Sequence, residues 1–218
     1  MSFQSEREKN NPFYQIYLMK LETGKTRRLS PGRGKTTCSW IHPSNRKVLY
    51  SSTHSDPKTK KHMQAELDFR KSGKKKRYSW DYDEHYEIYE SNFKGQITNR
   101  LTYSKGYDAE ASYSPNGKLI AFASNRHAYS EKLPAPDAKK FARDPSFAME
   151  IYTMDSRGKN IKRLTHSNGY DGGPFFSADG TKITWRRFSE DGHTAEIYTM
   201  NVDGSEQKQI TKLNKMSW

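Results

Sequence analysis

The hydrophobic positions of this chain recur in short strands, and four segments share one pattern. Each segment holds an Ile-Tyr pair, followed thirteen residues after the Ile by Leu or Ile and then by Ser or Thr. The paired positions are Ile16 and Leu29, Ile88 and Leu101, Ile151 and Leu164, and Ile197 and Ile210. A turn lies between the two halves, at Thr23-Gly24, Lys94-Gly95, Arg157-Gly158 and Asp203-Gly204. Two short strands around a tight Gly-containing turn predict a β-hairpin.

A second constant spacing adds two more strands to each unit. Fourteen residues after each of the first three Leu positions comes a turn, and seven residues later an aromatic residue in a short apolar run. The turns contain Pro43, Pro115 and Ala178, and the aromatic residues are Tyr50, Phe122 and Trp185. Four short antiparallel strands per repeat are typical of a propeller blade. We therefore predict an all-β fold built from propeller blades.

The fullest copy of the repeat is Ser-Pro-Asn-Gly-Lys at residues 114–118, followed by IAFASNR, EIY and RLT. This motif resembles the TolB-type, WD-like propeller repeat, over nearly the whole chain outside two insertions. Two copies depart from it in detail, with His42-Pro43 and Ser177-Ala178 in place of Ser-Pro. The resemblance implies six blades in a complete ring and a periplasmic setting. It also implies one of two roles: a non-catalytic scaffold that binds proteins or peptides, or a propeller that filters substrates for a serine or zinc peptidase domain encoded elsewhere.

The spacings divide the chain into a partial blade and three complete blades. The partial blade covers residues 1–30 and has three strands, because residues 3–7 match the second-strand residues 122–126. The complete blades are predicted at residues 37–102, 108–165 and 171–211, and Ser217-Trp218 matches Ser39-Trp40 at the start of another first strand. We expect one partial propeller. Three explanations remain open: a piece of a longer protein, pairing with other chains such as a second copy, or closure of a four-bladed ring.

Two insertions, at residues 54–85 and 127–147, separate the second and third strands of two blades. The first predicts a short helix near residues 62–70, and the second about one helical turn. Because antiparallel strands alternate in direction, this link and the link to the next blade lie at the same end. Both insertions should therefore share one face with the loops GYDAE at residues 106–110 and GYDGG at residues 169–173.

This shared face supplies the candidate binding residues. They are Tyr107, Asp108, Glu110, Tyr170 and Asp171 near the channel mouth, and the basic run Lys74, Lys75, Lys76 and Arg77 in the first insertion. The carboxylates could bind a metal or a cationic ligand, or they could fix turns and cap backbone amides, which is the favoured interpretation. The tyrosines are better explained by packing than by ligand stacking. The position of Asp108 and Asp171 is Thr36 in the preceding blade, so the acidic pattern is incomplete.

The net charge and the sequence patterns limit the classes of partner that we expect. The net charge is +13, and the basic run could contact phosphates or pair with the acids at Asp81, Asp83 and Glu84 that follow it. No stacking-aromatic or helix-turn-helix pattern accompanies it, so we expect a protein or peptide partner, steered by charge, and not a nucleic acid. No apolar run is long enough to span a membrane. The N-terminus has no apolar stretch, so the sequence does not predict a signal peptide.

The chemistry-bearing residues do not form a catalytic pattern. The chain contains no G-x-S-x-G, no H-E-x-x-H and no phosphate-binding Gly loop, and its seven histidines are scattered. The single cysteine, Cys38, excludes an internal disulfide, and we interpret it as a small buried thiol. We therefore expect a chain without catalytic residues, metal or cofactor, whose location the sequence leaves open.

Overall fold

The computed structural model describes residues 1–75 and 81–217 and consists of four antiparallel sheets. The partial blade is β1 (Ser2–Ser5), β2 (Gln15–Met19) and β3 (Thr26–Arg28). Blade I is β4 (Thr36–Ile41), β5 (Lys47–Ser52), β6 (Glu87–Asn92) and β7 (Ile97–Arg100). Blade II is β8 (Ala109–Tyr113), β9 (Leu119–Ser124), β10 (Glu150–Asp155) and β11 (Lys162–Arg163). Blade III is β12 (Asp171–Phe176), β13 (Lys182–Phe188), β14 (Ala195–Asn201) and β15 (Lys208–Gln209).

Each strand pairs with its neighbour in the chain, as the hairpin spacings predict. The predicted all-β architecture of three four-stranded blades and one three-stranded sheet is confirmed. Within the described residues, the sheets pack side by side in chain order without closing into a ring.

The core lies between neighbouring sheets, and the second and third strands of blades I and II are buried on both faces, whereas β3 is exposed. Ile16 and Leu29 of the partial blade pack against Val48 and Tyr50 of blade I. Similar clusters join blade I to blade II and blade II to blade III. The repeated Leu is buried in the first three sheets, whereas its counterpart Ile210 in blade III is 54% exposed, since no described sheet covers that face.

A β-bulge with a left-handed residue interrupts the first strand of every complete blade. The residues are Cys38 (φ 44°), Glu110 (φ 55°) and Gly173 (φ 62°), each beside a shift in strand register. Left-handed backbone is uncommon for residues other than Gly, and bulges redirect the side chains around them. The backbone of the repeat is thus preserved although Cys, Glu and Gly share no chemistry.

The first insertion contains α1 (Thr59–Lys71), which is longer than the predicted helix. The second was predicted as about one helical turn, but it contains α2 (His127–Ser130), α3 (Ala135–Arg143) and a 3₁₀ turn (Pro145–Ala148). Pro136 lies in the first turn of α3, where its missing N–H costs nothing, so proline starts a helix here and does not prevent one.

Both insertions lie against the GYD loops, on the face that the strand directions predict. The Gly106 N–H donates to the Glu84 carbonyl at 2.9 Å, and the Gly169 N–H donates to the Phe147 carbonyl at 3.0 Å. We call the surface formed by residues 54–75, 81–85, 127–147 and the two GYD loops the insertion face.

The end of the chain corrects one sequence match. The Ser217 N–H donates to the Ala195 carbonyl at 2.9 Å, as the Asp171 N–H does to Met149 at 3.0 Å. Ser217 therefore occupies the position of Asp108 and Asp171, not that of Ser39. The seven-residue distance from Ile210 was the better guide, and the Ser-Trp dipeptide misled the alignment. Trp218 lies outside the described residues.

Candidate functional site

Asp108 and Asp171 lie in the interior, with 0% and 1% of their surface exposed. The Arg126 guanidinium donates to Asp108 at 3.2 and 2.5 Å, and Arg187 donates to Asp171 at 2.8 and 2.7 Å. The cation beside each carboxylate is therefore an arginine of the same blade and not an external ligand. Burial raises the pKa of both carboxyl groups despite these arginines. Neither aspartate belongs to an open binding surface.

Each arginine also lies over aromatic rings of its own blade. The Arg126 guanidinium is 5.2 Å from the Phe122 ring and 5.7 Å from the Tyr152 ring. Arg187 is placed in the same way over Trp185 and Tyr198, and Arg7 over Phe3 and Tyr17. These cation–π contacts stabilise the blades.

Blade I contains a neutral version of the same arrangement. Thr36 replaces the aspartate, and the ring of His54 lies 4.3 Å from that of Tyr89, which stacks on Tyr50. Burial lowers the pKa of His54 to about 4, so the imidazole is uncharged at neutral pH. The blade without the acid thus also lacks the charged base.

The EIY and RLT motifs form a second buried polar cluster, whose role the spacing did not reveal. In blade II the Thr165 hydroxyl donates to Glu150, while the Ile151 N–H donates to that hydroxyl at 2.9 Å. Arg163 donates to the same carboxyl group at 2.8 Å. Burial raises the pKa of Glu150 to about 7, and the charge of Asp171 adds to the effect. These hydrogen bonds therefore join the third and fourth strands of blade II, and the Glu150 carboxyl group is buried within that blade.

The channel-mouth tyrosines differ from each other. Tyr107 is 1% exposed and packs between Tyr82 and Tyr86, with ring centroids 5.8 and 5.1 Å away. Tyr170 is half-buried, and its hydroxyl donates to Glu110 across the junction of blades II and III. Of the five candidates at the channel mouth, Glu110 and Tyr170 line a cavity, whereas Tyr107, Asp108 and Asp171 are enclosed.

The basic run is only partly described. Lys74 and Lys75 are exposed just beyond α1, and Lys76 and Arg77 lie outside the described residues. The nearby acids tie the first insertion to the loops beside it. Lys35 lies 2.7 Å from Asp81 and 3.4 Å from Asp83, and Lys105 lies 3.2 Å from Glu84.

A cavity of about 700 Å³ opens on the insertion face between the second insertion, the second GYD loop and the β13–β14 loop. We call it the insertion cavity. Its lining residues are Glu110, Lys140, Arg143, Asp144, Ser146, Phe147, Gly169, Tyr170, Arg186, Phe188, Ser189, Glu190, Asp191 and Gly192. Most of these residues lie in loops that are separate in sequence, and no repeated spacing predicts that the loops meet. Of the residues predicted from the sequence, Glu110 and Tyr170 belong to this lining.

A second cavity, of about 510 Å³, shares Glu110 and Arg186 with the first and includes the bulge residues Cys38 and Gly173. Burial raises the pKa of the Cys38 thiol to about 12, so this cysteine is not a reactive thiolate at neutral pH. Across residues 1–75 and 81–217, no group of three or more His, Cys, Asp or Glu residues could hold a metal ion. No helix in these ranges is long and apolar enough to cross a membrane.

No family model matches the chain. An uncharacterized protein of Agrobacterium fabrum is 36% identical over 88 residues, which cover 38% of this chain and 29% of that protein. A TolB structure from Agrobacterium tumefaciens superimposes with a TM-score of 0.65 at 17% identity, covering 100% of this chain and 66% of the other.

TolB from Acinetobacter baumannii gives a TM-score of 0.60 at 21% identity, over 96% of this chain and 40% of that one. Kuenenia stuttgartiensis hydrazine synthase gives 0.61 at 13% identity, over 96% of this chain and 31% of that one. The chain therefore has a TolB-like β-propeller fold and spans only part of the length of these proteins. Because hydrazine synthase shares this fold, the fold alone does not assign a function.

Proposed function

We propose that this chain is a non-catalytic scaffold that binds a protein or peptide at the insertion face. The observation that carries the proposal is the insertion cavity, which opens where the second insertion meets a GYD loop. Ligand cavities of about 300–1,000 Å³ with aromatic walls and a few polar groups are typical binding sites. Loops held on a rigid scaffold commonly carry binding function.

The internal pairing of the acidic motif residues supports a binding site on the insertion face. Its acidic residues are occupied internally: Asp108 and Asp171 by arginines, and Glu150 by Thr165 and Arg163. The repeat therefore supplies the framework, and the insertions supply the variable surface. Binding through residues added to a repeat scaffold matches the way in which solenoids and propellers use their loops.

The overall charge favours acidic partners. A net charge of +13 raises the encounter rate with acidic surfaces and makes it depend on salt. Lys74 and Lys75 in the first insertion, and Lys132 and Lys139 in the second, are exposed on the insertion face. These lysines place positive charge on the insertion face, where a partner would dock.

Charge reversal on opposite faces tests the proposal. The variants K74E/K75E and K132E/K139E change one insertion each, and the matched control K118E/K159E changes exposed lysines of turns at the other end of the blades. The tagged chain is cross-linked in cells of its source, purified and analysed by quantitative mass spectrometry.

We expect the same partner to be depleted by about tenfold or more in both insertion variants and retained by the control, because each variant replaces attraction by repulsion. The proposal fails if the partner is lost only in K118E/K159E, or if all three variants capture the same proteins as the unmodified chain.

A further inference from the structure

We propose that the two insertions form one docking unit, positioned by the buried side chain of Asn125, so that a partner bound at one insertion depends on the other. This inference rests on the proposed function and deepens it, because it joins two segments that are far apart in sequence into a single binding surface. Asn125 follows directly after β9, where the second insertion starts, and is 0% exposed. It is a positioning residue, since its burial keeps it from touching a partner.

The Asn125 side-chain amide joins three segments of the insertion face. Its Oδ1 atom accepts from the Tyr107 N–H of the first GYD loop at 2.8 Å. Its Nδ2 group donates to the Tyr82 hydroxyl of the first insertion at 2.8 Å and to the Pro145 carbonyl of the second insertion at 2.9 Å. An amide nitrogen has two hydrogens to donate, so both are used. The loop thereby fixes the direction of the amide, and both insertions are bound to the same nitrogen.

The other complete blades lack this bridge at the equivalent position, three residues after the aromatic residue of the second strand. In blade I that residue is Thr53, whose hydroxyl accepts from the Lys35 N–H at 3.1 Å, as Asn125 accepts from Tyr107. In blade III it is Phe188, which has no polar group in its side chain. The bond to the loop is therefore shared by blades I and II. The two bonds that the amide donates are specific to blade II, which lies between the insertions.

The insertions also contact each other directly. The hydroxyls of Tyr82 and of Tyr129, which belongs to α2, lie 2.7 Å apart. The Tyr82 ring stacks on Tyr107 with centroids 5.8 Å apart, and the Tyr129 ring meets Phe141 of α3 edge-on at 5.2 Å. Burial raises the pKa of Tyr82, so its hydroxyl keeps its proton for hydrogen bonding. Packed rings and hydrogen bonds therefore run without a break from the first insertion to α3.

An exposed ion pair lies over the same contact. The Lys105 ammonium lies 3.2 Å from the Glu84 carboxylate of the first insertion and 4.8 Å from the Tyr129 ring centroid. The Lys105 side chain is 56% exposed, and ion pairs in water contribute little to stability. The buried amide and the two tyrosine hydroxyls are therefore the main connection. We call Asn125, Tyr82 and Tyr129 the insertion junction.

Gly106 allows the first GYD loop to reach this junction. A Cβ atom at Gly106 would lie 2.9 Å from the Arg126 Cα and 3.1 Å from the Asn125 Oδ1, and its φ is 135°. Both the space and the backbone conformation favour glycine here. The close approach of the loop lets one amide contact the loop and both insertions.

Hydrogen exchange of the intact chain, read by mass spectrometry, tests the coupling. Y82F removes one hydroxyl from the first insertion. We expect amides of residues 127–147, in the other insertion, to exchange about threefold faster or more, because a lost hydrogen bond favours local opening. A role of Tyr82 confined to its own segment would leave that exchange unchanged. By linkage, Y129F should in turn accelerate the exchange of residues 81–85.

The matched control is Y103F. Tyr103 is 71% exposed, and its hydroxyl donates to the Arg100 carbonyl at 3.0 Å, outside the insertion junction. We expect Y103F to leave the exchange of both insertions unchanged, although it also removes one tyrosine hydroxyl.

N125A removes the whole bridge without changing a charge. We expect faster exchange in both insertions and unchanged exchange in β13 and β14 of blade III. In the cross-linking experiment used for the charge reversals, N125A should deplete the partner by about tenfold or more, since the two insertions no longer hold one arrangement. The control is N116A, at an exposed asparagine in a turn at the other end of blade II, which should retain the partner.

The inference is wrong if Y82F leaves the exchange of residues 127–147 as it is in the unmodified chain. It is also wrong if N125A captures the partner normally while the charge reversals lose it, and in that case the proposed function stands. If exchange changes as expected but no insertion variant loses a partner, the two insertions are coupled and the proposed function fails.

Discussion

Blades I and II fill the same interior position with different chemistry. In blade II, Asp108 is fully buried and pairs with Arg126. In blade I the equivalent residue is Thr36, whose hydroxyl donates to the Tyr14 carbonyl at 2.5 Å, and the residue over the aromatic ring is the neutral His54. The difference shows that charge is balanced within each blade, because an unpaired buried charge costs several kcal/mol.

This balance explains why the acidic pattern of the GYD loops is incomplete. An aspartate that bound an external ligand would be expected in each blade that contributes to the site. An aspartate that pairs with an arginine of its own blade can be lost wherever that arginine is replaced as well. Blade I therefore stabilises the same interior position with the uncharged residues Thr36 and His54. It is not a blade that has lost a ligand-binding aspartate.

Removing the carboxylate of the Asp108–Arg126 pair in blade II should have the largest effect on stability. D108N leaves the Arg126 guanidinium, whose side chain is 12% exposed, without its carboxylate. We expect the free energy of unfolding in urea to fall by about 3–5 kcal/mol, because removing one partner of a buried pair strands the other charge.

The double variant D108T/R126H is the matched control, since it installs the blade I residues in blade II. We expect it to recover most of the loss. A D108N variant as stable as the unmodified chain, or a double variant no better than D108N, would contradict a balance within the blade.

Introducing an aspartate at position 36 of blade I, where the neighbouring imidazole is uncharged, should have an intermediate effect on stability. T36D places a carboxylate at a position that is 2% exposed, opposite an uncharged imidazole. We expect a loss of about 1–3 kcal/mol at pH 7, measured by urea unfolding, because the carboxylate lacks a charged partner. T36D/H54R should be more stable than T36D alone. If H54R adds nothing to T36D, the two positions are not coupled.

The smallest expected effect is the pH dependence of the free energy of unfolding, to which blade I and blade II contribute in opposite directions. The pKa of His54 falls from 6.5 to about 4 on folding, so the unfolded chain binds more protons between these values. His54 therefore contributes stability that grows as the pH rises from 4 to 6.5. Glu150 in blade II behaves oppositely: its pKa rises from 4.5 to about 7, so its contribution is largest below pH 4.5 and is lost as the pH rises to 7.

Urea unfolding of H54Q, E150Q and the unmodified chain at pH 5 and pH 6 measures both effects. From pH 5 to pH 6, the stability of the unmodified chain should rise relative to H54Q and fall relative to E150Q, each by roughly 1 kcal/mol. Equal slopes for all three proteins would show that neither group changes its pKa on folding.

The blade architecture could be predicted from the sequence because it depends on local rules. The constant distances between the Ile-Tyr pair, the Leu and the turns reflect strand lengths and hairpin turns, which neighbouring residues determine. The common face of the insertions followed from the alternating direction of antiparallel strands. The α3 helix was missed because the prolines at its start were interpreted as loop residues.

The candidate site was only partly predictable. Asp108 and Asp171 were correctly placed at the start of first strands, but the sequence does not show that Arg126 and Arg187 reach them. Glu110 and Tyr170 were identified as residues of the channel mouth, whereas Arg143 and Phe188 of the insertion cavity were not. Cavity walls assembled from a helix, a loop and a strand end have no fixed spacing along the chain.

The sequence by itself determined the repeat, the number of strands and the end of the blades at which the insertions lie, because these follow from hydrogen bonding between residues close in the chain. Only the tertiary structure decided which carboxylates are enclosed and which line a cavity. That outcome depends on the distance between side chains from separate strands and on their loss of contact with water, which together determine the pKa and the partner of each charged group.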